Sequence, residues 1–206
     1  MKKLILIFFT FVLITGAKAS ITDSLYFGVA GGYSNYNTFK GEFYLKKDLT
    51  IFNRHAELRA GMNNRNYQLD FDNVKDLKAS SVGFFGDVVI YPFKKGFFAG
   101  LRWELINFNW LSNESKQKIE NERNYTATSF YTGTCGFLQV GYRFKLGNNT
   151  NLKIYGQPGF QQYKISNGSN SSGGFVQSST NTDIKIEDRT RFIYDLNMSF
   201  EFRLGK

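Results

Sequence analysis

The closing stretch of the chain, RFIYDLNMSFEFRLGK, permits few folds. Every second residue is large and apolar: Phe192, Tyr194, Leu196, Met198, Phe200, Phe202 and Leu204. Between them stand Arg191, Ile193, Asp195, Asn197, Ser199, Glu201 and Arg203, all polar or charged except Ile193. A repeat of two puts one set on each face of an extended strand. The strand is about twice the ordinary length of roughly 5–6 residues. If its oily face looks inward, the protein is a soluble barrel or sandwich. If it looks outward, the protein sits in a membrane.

The start of the chain bears on the compartment. MKKLILIFFTFVLITGAKA joins two lysines, an apolar run from Leu4 to Ile14 and small residues at Ala17 and Ala19. This is the pattern of a secretory signal peptide over residues 1–19, cut between Ala19 and Ser20. The apolar run is short for a transmembrane helix, which needs about 20 apolar residues. Residues 20–206 are then one domain, and no later stretch is apolar enough for a spanning helix. Lys2, Lys3 and Lys18 leave with the signal, taking the net charge from +9 to +6. A basic exported chain with no basic helix and no recognition motif argues against nucleic acid. It suits weak attraction to anionic headgroups or glycans.

Period-two alternation predicts eight strands. They run over 25–36, 38–46, 54–64, 80–91, 96–110, 128–144, 151–166 and the closing stretch. Short connections, KDLTIFN, PFKKG and KLGNNT, take turns with long polar ones over 63–79, 111–127 and 166–190. An even number of strands with short turns at one end and long loops at the other describes an outer-membrane barrel. In the charged segment ESKQKIENER, a short helix and a strand extension are both open.

The polar strand positions decide the face. They carry Glu42, Glu57, Arg59, Asp87, Arg102, Glu104, Arg143, Asp195, Glu201 and Arg203, mixed with Gly, Asn, Gln and Ser. Carboxylates and guanidiniums in near balance satisfy one another in a confined space. Most lysines, Lys46 among them, read as turn or loop residues. An eight-stranded barrel is just wide enough to be filled by its own side chains, and glycines such as Gly28 and Gly159 make room. The oily face has no helices to cover it. The fold expected is therefore all-β: an eight-stranded antiparallel transmembrane up-and-down barrel. Phe192, Tyr194, Leu196, Met198, Phe200, Phe202 and Leu204 face lipid. Tyr33, Tyr91, Trp110, Tyr142, Phe144, Tyr194 and Phe202 form the interfacial girdles. Pro158 falls inside a strand of a barrel with no free edge, which predicts a bulge there.

Chemistry is sparse. Cys135 is the one cysteine, so no disulfide forms within the chain. Glu57 and Glu104 read as members of an ion-pair network with Arg59 and Arg102 rather than as an acid–base pair. His55, the one histidine, lies two residues from Glu57 on the same strand face. It has no local His-x-Ser pairing and no oxyanion site, so a lipid-modifying role is disfavoured. A single histidine without a cysteine nearby makes a poor metal site. No cofactor motif is present.

Signal peptide, eight strands, short turns, long loops and an amphipathic last strand ending in aromatics resemble the small outer-membrane barrels of the OmpA and OmpX type, within the porin-like and opacity-like superfamily. The likeness covers the whole of residues 20–206 and carries no catalytic motif. In such proteins the last strand ends on a terminal aromatic read by the barrel-assembly machinery. Phe200 and Phe202 match that alternation, and the four residues after Phe202 depart from it. The resemblance implies a non-enzymatic role in envelope integrity or adhesion, in the outer membrane. Its partners would be outer-membrane lipid, the assembly machinery through the last strand, and a surface ligand met by loops 63–79, 111–127 and 166–190. The alternatives are a soluble lipocalin-like barrel with an apolar interior, and a lipid A-modifying barrel enzyme.

Overall fold

Aromatic and β-branched side chains at alternate positions favour a pleated backbone that presents them on one side. The computed structural model describes residues 25–35, 38–52, 54–93, 96–123, 129–132, 135–166 and 186–204. The expected export signal over 1–19 and most of the loop over 166–190 lie outside these residues.

The strands are β1 (Leu25–Ser34), β2 (Phe39–Ile51), β3 (Arg54–Phe71), β4 (Val74–Ile90), β5 (Phe97–Leu111), β6 (Ser129–Thr132), β7 (Cys135–Lys145), β8 (Thr150–Ser166) and β9 (Ile186–Arg203). One helix, α1 (Asn113–Arg123), follows β5. Each strand runs antiparallel to its neighbours. The ring closes where β9 returns to β1, from Tyr26↔Arg203 to Ser34↔Asp195. The fold is an all-β, up-and-down antiparallel barrel.

The sixth predicted strand is split. Both β6 and β7 pair with β8, with Ser129 opposite Ser166 and Gly136 opposite Phe160. That is a slip of one residue between the two segments, which share one place in the ring. The barrel therefore has eight crossings. Closure leaves free edges, among the described strands, only where the β3–β4 hairpin rises past its neighbours and beside the short β6.

Pro158 does not make a bulge. Its pairing with β9 keeps one register from Thr150 to Ser166. On the β7 side the ladder lapses between Phe137↔Gly159 and Val140↔Gly156, with the same register on either side. The missing N–H of proline is absorbed as an interrupted ladder rather than an extra residue. Register shifts lie elsewhere: one near the β3–β4 tip, between Leu69↔Leu77 and Phe71↔Val74, and one on β5, between Val82↔Phe108 and Gly83↔Ile106. The extra residue on β5 reverses the facing of the β5 residues after it. Phe97 to Leu105 face outward at odd positions, whereas Phe108 and Trp110 face outward at even ones. Without the shift, Trp110 would point to the same side as Arg102 and Glu104.

The long loop expected over 63–79 is strand. Strands β3 and β4 continue as one hairpin to Phe71↔Val74. The two residues between them, Asp72 (φ 47°) and Asn73 (φ 65°), take the left-handed conformation that such tight hairpin turns require. Asp and Asn tolerate it best among residues with side chains. Along this extension the faces exchange character. Outward positions change from Leu58, Ala60 and Met62 to Asn64, Asn66, Gln68 and Asp70. Inward positions change from Arg59 and Arg65 to Tyr67, Leu69 and Phe71. Leu69, Phe71, Val74, Leu77, Ala79 and Leu111 form a small apolar core, closed by Ile119 of α1.

Candidate functional site

Glycine on the inner face lets bulky neighbours lie flat across the wall. A Cβ on Gly28 would stand 2.2 Å from the Tyr44 ring, and one on Gly159 would stand 2.4 Å from Phe137. With those rings laid down, the centre of the lumen is left to charged side chains. Lys40, Lys46, Arg59, Arg65, Arg102 and Lys153 are buried there, facing the buried carboxylates Glu42, Glu57, Asp87, Glu104, Asp195 and Glu201. Among the described residues these fully buried charges balance, six against six. Balance matters because an isolated buried charge is costly unless paired and hydrogen-bonded.

The pairs fall into connected groups. In the middle of the barrel, Arg102 donates to both oxygens of Glu42 (2.6 and 3.1 Å) and to Glu104 (2.8 Å). Its guanidinium lies 3.6 Å from the centre of the Phe85 ring. Arg59 donates to Asp87 (2.6 Å) and to Gln139. Lys40 reaches Glu42 (2.9 Å), Gln157 (2.6 Å) and Asp195 (3.2 Å). Towards the long-loop end, Arg65 holds both oxygens of Asp195 (3.0 and 2.8 Å). Towards the short-turn end, Glu57 accepts from Lys46 (3.2 Å), Arg143 (3.1 Å), Tyr91 (2.9 Å) and Lys153. Glu201 accepts from Lys46 (2.9 Å) and Tyr44 (3.1 Å).

Several of these bonds cross the lumen. Strand β3 is tied to β7 through Arg59–Gln139 and to β8 through Tyr67–Gln161 (2.8 Å). It is tied to β9 through Arg65–Asp195. The strands β7 to β9 stand on the far side of the ring from β3, so the side chains act as struts.

The structure places each predicted polar residue as follows. Glu42, Glu57, Arg59, Asp87, Arg102, Glu104, Asp195 and Glu201 are buried in the lumen. Arg143 is half-buried at the short-turn mouth and joined to Glu57, and Arg203 is half-buried at the end of β9. Phe192, Tyr194, Leu196, Met198, Phe200, Phe202 and Leu204 all stand exposed on the outer wall. Two sequence expectations are corrected. Lys46, read as a turn lysine, is buried because β2 runs on to Ile51. Tyr91, read as a girdle residue, is buried because it continues the inward alternation of Phe85, Asp87 and Val89, and its hydroxyl donates to Glu57. Sequence reasoning missed Lys40, Lys46, Arg65 and Lys153 as network members. The parity of each with Glu42, Glu57 or the alternating apolar neighbours was the available signal.

His55 sits at the short-turn mouth. Its Nε2 lies 3.0 Å from Arg143 Nη1, 3.7 Å from Glu57 and 3.9 Å from Asp48, and its ring packs on Tyr91. Asp48, His55 and Glu57 bring their ligand atoms within 4.8 Å of one another, the spacing of a metal set. Lys46, Arg143 and Lys153 already occupy these carboxylates. A divalent cation would enter against three positive side chains, and the donor set fits one poorly. The charged lumen is likewise the reverse of the oily cavity a lipocalin-like binder needs.

No protein-family model and no curated protein matches the chain. Among solved structures, it is similar to a de novo designed transmembrane β-barrel. The identity is 9% and the TM-score 0.40, covering 89% of this chain and 97% of the other. It is also similar to the outer membrane protein OprG from Pseudomonas aeruginosa. There the identity is 11% and the TM-score 0.45, covering 87% of this chain and 96% of the other.

Proposed function

We propose that the protein is an outer-membrane barrel with a structural or surface-interaction role, neither an enzyme nor a wide solute pore. The observation that carries this reading is the inversion of its faces. Charges fill the lumen, while Phe43, Leu101, Trp103, Leu138, Leu196 and Met198 stand exposed around the wall. In water such a continuous apolar belt would aggregate; in lipid it is the required surface. The belt ends where the outward positions of β3 turn polar at Asn64, which marks one membrane boundary.

Struts from β3 to β7, β8 and β9 argue against a wide passage, since a solute would have to displace paired charges. The long-loop end supports a surface role. There the β3–β4 hairpin and α1 share an apolar core and present Asp70, Lys75, Asp76, Glu114, Gln117 and Glu120 on a braced platform. The last strand would dock with the assembly machinery through Phe200 and Phe202, as the OmpA and OmpX resemblance implies.

Membrane fractionation followed by heated and unheated gel electrophoresis tests this. The expected result is a membrane-bound protein whose unheated form migrates differently from the unfolded chain. Recovery in the soluble fraction with no heat-dependent shift overturns the reading.

A further inference from the structure

We propose that the short-turn rim of the barrel is a binding collar for anionic phospholipid headgroups, an inference that rests on the membrane reading. The first observation is Phe52. It sits in the two-residue connection closed by Ile51↔Arg54, with φ 50° and 93% of its surface exposed. A left-handed backbone disfavours a bulky side chain, and Gly or Asn would be the ordinary choice. An exposed ring is unfavourable in water as well. An apolar cover over the ring would offset the cost of its exposure.

The other short connections also expose apolar side chains. Phe93, after β4, is 64% exposed and packs against Phe97 with ring centres 5.9 Å apart. Leu146, after β7, is also exposed and follows the outward Phe144. Phe97 and Phe144 belong to the outer wall, so the turn residues prolong the lipid-facing belt past the strand ends. Continuity with that belt names the occupant as lipid.

Charge narrows the class. Among the described residues, the charges turned outward or exposed on this rim are Lys47, Arg54 and Lys145. The nearby carboxylate, Asp48, is 3.3 Å from Lys46 on the lumen side. The opposite end of the barrel mixes both signs, with Asp70, Asp76, Glu114 and Glu120 beside Lys75 and Lys78. A ring of aromatic bodies with cations just beyond them suits an acyl boundary topped by phosphates. A headgroup with net negative charge meets these cations with no competing ammonium.

The test is unfolding of the full chain in vesicles of phosphatidylcholine alone and of phosphatidylcholine with phosphatidylglycerol, at low and high salt. The parent is expected to unfold at a higher denaturant midpoint with phosphatidylglycerol, and the gain is expected to vanish in high salt. In Lys47→Gln/Arg54→Gln/Lys145→Gln the two vesicle types should give one midpoint. Phe52→Gly relieves the backbone, so it should be at least as stable as the parent in detergent micelles yet less stable in vesicles. Equal parent midpoints in both vesicle types, or a preference that survives the triple substitution, overturn the collar. A chain that folds in neither vesicle type overturns the membrane reading, and the collar with it.

Discussion

Arg102 shows what one residue does in this lumen. Four of its surroundings are fixed at once: Glu42, Glu104, Asp87 at 3.7 Å and the face of Phe85. Removing one member of a buried pair leaves the others as uncompensated charges, at a cost of about 3–5 kcal/mol. Arg102→Met is therefore expected to lower the unfolding free energy in detergent by that amount. Pairing it with Glu42→Gln should recover part of the loss, and a double-mutant cycle on denaturant unfolding measures the coupling. The outer wall follows the opposite rule. Leu196 is 57% exposed, yet no polar group should replace it. On the membrane reading, Leu196→Arg costs about 2–4 kcal/mol near the bilayer midplane. The same change should cost much less in detergent micelles, whose headgroups the side chain can reach. Folding yield in vesicles against micelles checks this.

At the scale of elements, α1 is held by two devices rather than by its own composition. Mostly charged, it offers one buried apolar side chain, Ile119, to the core of the β3–β4 hairpin. Ser112 and Ser115 secure its start. Ser115 Oγ accepts from the Lys78 N–H (2.6 Å) and donates to the Lys78 carbonyl (3.1 Å). These bonds finish the edge of β4 just where β5 stops, so helix and sheet stabilise each other. Ile119→Ala removes buried volume and should cost about 2–4 kcal/mol locally. Loss of the cap should appear as new protease cleavage within 112–128, while the heat-dependent gel shift of the barrel is unchanged. Simultaneous loss of both would mean that cap and barrel fold as one unit.

For the whole molecule, the struts and the closed ring act together. Every described strand except the short β6 is paired on both sides, and the lumen charges join strands that are not neighbours. A barrel built this way should insert as a closed unit and conduct poorly. In planar bilayers, the parent is expected to show no sustained large-conductance events. Replacing the crossing pair, as Arg65→Ala/Asp195→Ala, empties one level of the lumen without leaving a lone charge. Any conductance should rise in that variant, and a parent already conducting in large steps would refute the closed lumen.

Much of this was legible in the chain itself. The alternation from Phe192 to Leu204 determined a long strand with unlike faces, because side chains on a pleated backbone must alternate. The balance of Glu, Asp and Arg on the polar face pointed to a shared interior. The facing of Lys46 and Tyr91 followed the local alternation, but their burial, and the facing of Trp110, did not. Each depended on where strands were extended or shifted by their neighbours: β2 running on to Ile51, the Tyr91 hydroxyl meeting Glu57, and the register shift on β5 turning Trp110 outward. The hairpin over 63–79 read as a loop because its outward residues are as polar as loop residues. Only the packed core beneath them, from Tyr67 to Ile119, holds it as strand. Alternation is a property of the local backbone and can be read from sequence. Register and ion pairing join residues more than a hundred positions apart, as in Arg65 and Asp195, and only the closed barrel brings them together.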